Sequence, residues 1–129
     1  LKALLRPDDI VWVHDYHLMP LAAELRAMGC EQRMGFFLHV PLPPPQLLAA
    51  LPESDRLMRS LFAYDLVGFQ SRNDVAHFSR YVGVEVGADV LGEHEFRAHG
   101  KTLRAQAFPI GIDLEEFQAL TEGKEAREM

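Results

Sequence analysis

Apolar residues recur along this chain in two alternating patterns. Ile10, Val11, Trp12 and Val13 form a β-branched and aromatic run with polar ends at Asp9 and at His14-Asp15, which predicts a buried strand over 9–15. Leu18, Leu21, Ala22, Leu25 and Met28 then fall at helical spacing, with Pro20 suited to the first turn and Gly29 placed for a left-handed cap. Met34 to Val40 is nearly continuous in apolar residues and predicts a second strand, followed by a rigid turn at Pro41, Pro43, Pro44 and Pro45. Leu47, Leu48 and Leu51 mark a short helix that Pro52 ends. Ser54 is placed to cap the next helix, whose apolar positions are Leu57, Met58, Leu61 and Phe62.

A third strand is expected over 65–70. Ser71 with Asp74 three residues on resembles a capping box, opening a helix that turns Val75, Phe78 and Val82 inward and stops near Gly83. The pattern weakens over 84–104. A fourth strand is expected over 105–110, and Leu114 to Phe117 starts a further helix. Residues 119–129 are polar and are expected to be disordered. Strands alternating with helices imply right-handed crossovers. The expected fold is α/β, a Rossmann-like doubly wound, mainly parallel sheet covered on both faces.

A length of 129 residues allows one domain, and 48% hydrophobic with 25% charged residues is ordinary for a globular protein. Thirteen Lys+Arg against 19 Asp+Glu give a net charge of −6. That balance removes the basic face a nucleic-acid binder uses, and equally a polybasic membrane anchor. No apolar run approaches the ~20 residues of a membrane-spanning helix. The N-terminal stretch lacks the charged, apolar and small-residue order of a secretory signal. Cys30, the single cysteine, has no internal disulfide partner, which fits a reducing cytoplasm.

In an open parallel sheet, ligands bind at the carboxyl ends of the strands. Those ends hold His14-Asp15-Tyr16-His17, then His39, then Gln70, and finally Pro109-Ile110-Gly111-Ile112-Asp113. A carboxylate, an imidazole and an amide gathered there suit a polyhydroxylated ligand, because each hydroxyl both donates and accepts and a carboxylate can take two vicinal hydroxyls. Plainer roles stand beside this one. Asp15 could cap the next helix, His14 could face inward onto a backbone partner, and Gln70 could bond the backbone of the helix that follows it. His17 is balanced between the two kinds of role, whereas His39, ending a very apolar strand before the proline turn, is hard to explain by packing.

A metal site from His14, His17, His39 and Asp15 is disfavoured, since His14 and Asp15 should point to opposite faces of a continuing strand. The chain has no Gly-x-Ser-x-Gly elbow, no Gly-x-Gly-x-x-Gly and no Walker loop. Either the phosphate-binding loop lies outside this chain or phosphate is held by other means.

These same residues carry a resemblance. Val11-Trp12-Val13-His14-Asp15-Tyr16-His17-Leu18, then Arg33-Met34-Gly35-Phe36-Phe37-Leu38-His39-Val40-Pro41-Leu42-Pro43, resemble blocks of the trehalose-6-phosphate synthase family. Tyr64-Asp65-Leu66-Val67-Gly68-Phe69-Gln70-Ser71-Arg72-Asn73-Asp74 and Phe108-Pro109-Ile110-Gly111-Ile112-Asp113 are similar to further blocks in the same order. The match covers about residues 9–118, loosest over 84–104. It implies a retaining glycosyltransferase of GT-B architecture, moving glucose from a nucleotide sugar (usually UDP-glucose) to glucose 6-phosphate. The resemblance assigns Asp15 to acceptor hydroxyls, His39 to the donor glucose near its reacting end, and Gln70 to the acceptor side. Tyr16 and His17 would support that loop from behind.

The resemblance requires no cofactor and no metal. It also implies that the chain, beginning at Leu1, is the second half of an acceptor-side domain. The Gly-rich phosphate loop would precede it and the nucleotide-binding domain would follow Met129. Alone it is then expected to be inactive, and its unpaired sheet edge would favour self-association. The alternatives are a relative using another acceptor such as glycerol phosphate, a regulatory subunit or pseudo-glycosyltransferase, and, from another class, a metal-dependent hydrolase.

Overall fold

A computed structural model describes residues 1–109. The last residue of the strand expected over 105–110, the Ile110-Gly111-Ile112-Asp113 part of the last block, the helix expected at Leu114–Phe117 and the tail 119–129 lie outside the described residues. Six strands form one sheet in the order β1-β2-β3-β6-β5-β4. Strands β1 (Ile10–His14), β2 (Arg33–Leu38), β3 (Leu66–Phe69) and β6 (Lys101–Ala107) pair in parallel, while β5 (Glu95–Ala98) and β4 (Asp89–Val90) add an antiparallel flank. Among the described residues the α-helices are α1 (Leu21–Ala27), α2 (Pro45–Ala50), α3 (Ser54–Ser60) and α4 (Arg72–Tyr81). This is the α/β, mainly parallel, Rossmann-like class that the alternation of patterns predicts.

The parallel strands run across the sheet in chain order without reversing. Right-handed crossovers then put every connecting helix on the same face. The core shows it. Val11 and Val13, Met34, Phe36 and Leu38, Val67 and Phe69, and Leu103 and Ala105 lie in one buried cluster with Ala22 and Leu25, Leu48, Met58, Val75 and Phe78 of the four helices. The edge strand β1 therefore alternates, whereas the central β2 and β3 are buried on both faces. Ile10 and Trp12 are 70% and 45% exposed while Val11 and Val13 are buried.

On that opposite face, aromatic rings take the place of a helical layer. The Trp12 ring lies directly over Gly35, its register partner on β2, and Phe37 lies over Gly68, its partner on β3, joined there by Phe108. Phe37 is only 5% exposed as a result. A side chain on either glycine would collide with the ring above it.

Local chemistry explains the element ends. Gly29 adopts φ 85°, the left-handed stop expected after α1, and the N–H of Cys30 returns to the carbonyl of Leu25 at 3.0 Å. Of the α1 stripe, Ala22 and Leu25 are buried, but Leu18 and Met28 are exposed and Met19 takes the inward place instead. The reason is that Tyr16–Leu18 is a separate 3-10 turn, which shifts the phase before α1 starts. In the short α2, Leu48 alone faces inward.

Ser54 is not the cap of α3. Glu53 precedes that helix with φ 65°, and the Ser54 hydroxyl is buried 3.3 Å from that of Tyr81. The Ser71 cap is borne out, since its Oγ accepts from the N–H of Asp74 at 3.1 Å. Asp74 does not return the bond. Its Oδ1 accepts from the N–H of Leu42 at 3.0 Å, and His77 Nδ1 lies 2.9 Å from the Leu42 carbonyl. Helix α4 therefore holds both backbone groups of Leu42 and anchors the proline turn behind β2. Past Tyr81 the helix widens into a π turn, Val82–Val86, rather than stopping at Gly83. Strand β6 starts four residues earlier than expected and ends at Ala107, because β5 pairs with its first half.

Candidate functional site

The carboxyl ends of β1, β2 and β3 lie side by side, and each presents one polar residue toward its neighbour. His14 ends β1. His39 follows the last residue of β2 by one, on the same face as Phe37. Gln70 follows β3 directly. The Nδ1 of His14 and the Nε2 of His39 are 2.9 Å apart, with the ring planes 22° from parallel and the centroids 5.2 Å apart, so the two rings meet nearly end to end. Phe37 packs against the His39 ring at 4.7 Å, and the Trp12 ring meets His14 edge-on at 5.6 Å. The Gln70 side-chain amide donates to the backbone carbonyl of His39 at 3.3 Å. His39 is thus held through both its ring and its carbonyl by groups from the two flanking strands.

Asp15 sits where β1 breaks. Its N–H still donates to the carbonyl of Phe37 at 3.0 Å, as a last rung of the ladder. Its backbone then turns to φ 68° and ψ 154°. That region is nearly reserved for glycine and costs a residue with a Cβ on the order of 1–3 kcal/mol. The strict alternation that would send His14 and Asp15 to opposite faces therefore fails at this residue. Asp15 precedes the Tyr16–Leu18 turn, yet its carboxylate makes no capping hydrogen bond to it. The capping role is removed, and the carboxylate is held in a strained place without that local use.

Tyr16 and His17 stack on each other at 3.9 Å. Tyr16 also borders an apolar groove of about 230 Å³ together with Leu38, Val40, Leu42, Leu51 and Met58. The turn is pinned from below, where the Tyr64 hydroxyl donates to the Leu18 carbonyl at 3.1 Å. Burial pushes the Tyr64 phenol up to about 12. Among the described residues no three His, Cys, Asp or Glu side chains are grouped to hold a metal ion.

Of the residues singled out from sequence, His39 and Gln70 touch directly. Asp15 joins them through the backbone of Phe37, two residues before His39. Tyr16 and His17 touch each other and none of these three by hydrogen bond. His14, whose plain reading was an inward residue with a backbone partner, instead faces the open side and contacts His39. The signal lay in the strand period. Trp12 and His14 share a face, as do Gly35, Phe37 and His39, so pairing β1 beside β2 brings the two imidazoles together.

An open α/β sheet with an aspartate, a histidine and a glutamine at neighbouring strand ends offers the donors and acceptors that suit a polar, hydroxyl-rich ligand. The sequence narrows this further, because residues 1–128 match the pattern of glycosyltransferase family 20. The chain belongs to that family. It is similar to trehalose-6-phosphate synthase of Cronobacter sakazakii, with 44% identity over 123 residues, covering 95% of this chain and 26% of that protein. The Sinorhizobium fredii enzyme of the same name is 45% identical over 117 residues, covering 91% of this chain and 25% of the relative.

Among solved structures, the E. coli protein bound with UDP-2-fluoro glucose superimposes with a TM-score of 0.84 at 42% identity, over 95% of this chain and 27% of that one. A UDP-forming synthase from Burkholderia xenovorans in complex with glucose-6-phosphate gives 0.79 at 44% identity, over 98% and 30%. The chain spans about a quarter of the length of the curated relatives it matches.

Proposed function

We propose that this chain is the second half of an acceptor-side domain in an enzyme that transfers glucose from UDP-glucose to glucose 6-phosphate, forming trehalose 6-phosphate with retention. The observation that carries this reading is the strand-end cluster, with Asp15 in a strained backbone beside a histidine clamped from both sides. Asp15 accepts hydrogen bonds from acceptor hydroxyls. His39 meets the donor glucose near its reacting carbon, and Gln70 serves the acceptor side while fixing the His39 carbonyl. Tyr16 and His17 back the Asp15 turn. The bond from glucose C1 to the UDP oxygen breaks, and a bond from C1 to the acceptor hydroxyl oxygen forms on the same face. The acceptor proton passes to the departing phosphate.

The protein's share in this chemistry is orientation and stabilisation of an oxocarbenium-like state, and orientation alone is worth ~7–11 kcal/mol. The relatives bound with UDP-2-fluoro glucose and with glucose-6-phosphate support both substrates. A buried, unpaired Cys30 agrees with a reducing cytoplasm, and no helix among the described residues is long and apolar enough to cross a membrane.

The test is UDP release from UDP-glucose and glucose 6-phosphate. The chain by itself should release none. Grafted in place of the matched segment of the Cronobacter sakazakii relative, it should support turnover, and Asp15→Ala and His39→Ala in that graft should each lower kcat/KM by about a hundredfold or more, as expected for groups aimed at the reacting sugar. Release by the isolated chain would overturn the domain assignment. A folded, active graft indifferent to both substitutions would overturn the site.

A further inference from the structure

The contact between His14 and His39 has a chemical consequence for the site. Two ring nitrogens 2.9 Å apart form a hydrogen bond only if one hydrogen lies between them. There are two neutral ways to place it. If His14 Nδ1 carries the hydrogen, His39 Nε2 must be bare and its own hydrogen must sit on Nδ1, so both rings take the less common Nδ1–H form. If His39 Nε2 carries it, His14 Nδ1 is bare and its hydrogen sits on Nε2. Both rings then take the Nε2–H form that a free neutral histidine favours.

We infer that His14 is a positioning residue whose Nδ1 accepts from His39 Nε2–H, fixing the tautomer and plane of His39 so that its Nδ1 is presented as a bare acceptor. This rests on the reading that His39 meets the sugar, and it adds the polarity of the contact. The ring nitrogen left to the ligand takes a hydrogen bond from a hydroxyl and offers none. The surroundings favour a single orientation, since Phe37 packs against the same ring, Trp12 braces His14 edge-on and Gln70 ties the His39 carbonyl. A ligand group that can only accept, such as a phosphate oxygen, is disfavoured at that nitrogen, whereas a sugar hydroxyl fits.

The tautomers can be read directly on the 129-residue chain labelled with 15N-histidine, by long-range proton–nitrogen correlation at a pH well above the ordinary histidine range. His39 should show a protonated Nε2 and a bare Nδ1, and His14 the same. In His14→Phe the two His39 nitrogens should move toward exchange-averaged intermediate positions. His14→Asn, whose side-chain oxygen can stand in for Nδ1, should restore the wild-type pattern. A wild-type His39 protonated on Nδ1, or a pattern unchanged in His14→Phe, would overturn the inference. Should His14→Phe fail to fold, the wild-type chain still decides, because the contact requires His39 to be wholly in the Nε2–H form, without the averaging that a free imidazole shows. No sugar is present in this measurement, so failure of the transfer reading leaves its outcome untouched, and an averaged His39 in the wild-type chain sinks the positioning role by itself.

Discussion

Three described residues other than glycine have positive φ, namely Asp15, Glu53 and His99, and Asp15 combines it with an extended ψ of 154°, against −1° at Glu53. A left-handed turn is mild for a polar residue, whereas the Asp15 conformation is held against the chain's own preference. Asp15→Gly should therefore stabilise the chain by about 1 kcal/mol, the relieved strain exceeding the extra freedom glycine brings to the unfolded state. Urea unfolding would register this as a higher midpoint with an unchanged slope. The same substitution in the active graft should abolish turnover, and a loss of stability instead would mean the conformation is not strained. Nothing in residue type announced this. His14-Asp15 read as the end of a strand, and the break depends on how the chain must leave β1 to start the Tyr16–Leu18 turn. His39 was conspicuous because packing offered no reason for an imidazole there. Its partner His14 required the register, which one strand read alone does not contain.

At the level of elements, the stops and starts written in special residues came through. Gly29 ended α1 and Ser71 opened α4, since both act through the backbone within a few residues. Ser54 misled because its hydroxyl finds Tyr81, distant in sequence, and the stripe of α1 slipped where the 3-10 turn consumed Leu18. The Tyr16–Leu18 turn owes its position to Tyr64, which gives a pH signature. The buried phenol titrates near 12, against an ordinary value of ~10 in the unfolded chain. A raised pKa in the folded state means the contribution is complete below the unfolded value and is lost as pH climbs from about 10 to about 12. Denaturation midpoints should fall across that window. Tyr64→Phe should flatten the fall while losing about 1 kcal/mol at neutral pH with the Leu18 hydrogen bond. An equally steep alkaline fall in the variant would show that another group is responsible.

For the whole molecule, the strand–helix alternation was enough for the fold class, but it could not say that the strand order never reverses among the described residues. Reversal depends on which neighbour each strand chooses, and apolar runs look alike on either choice. The face opposite the helices is consequently built from rings over glycines. Gly35→Ala should force the Trp12 ring off β2, at about 1–3 kcal/mol of stability. Trp12 is the one tryptophan, so its emission should move to longer wavelength, and an unshifted spectrum with unchanged stability would contradict the ring's placement. The unreversed order also bears on how the chain assembles during synthesis. As β2 and then β3 leave the ribosome, each finds the free edge of the strand made just before it, and the β4–β6 segment folds back on itself before docking on β3. Among the described strands β1, β2 and β3 can thus be added outward in the order of translation, and the β4–β6 unit then docks as a whole through β6, so no strand has to be inserted between two that are already paired.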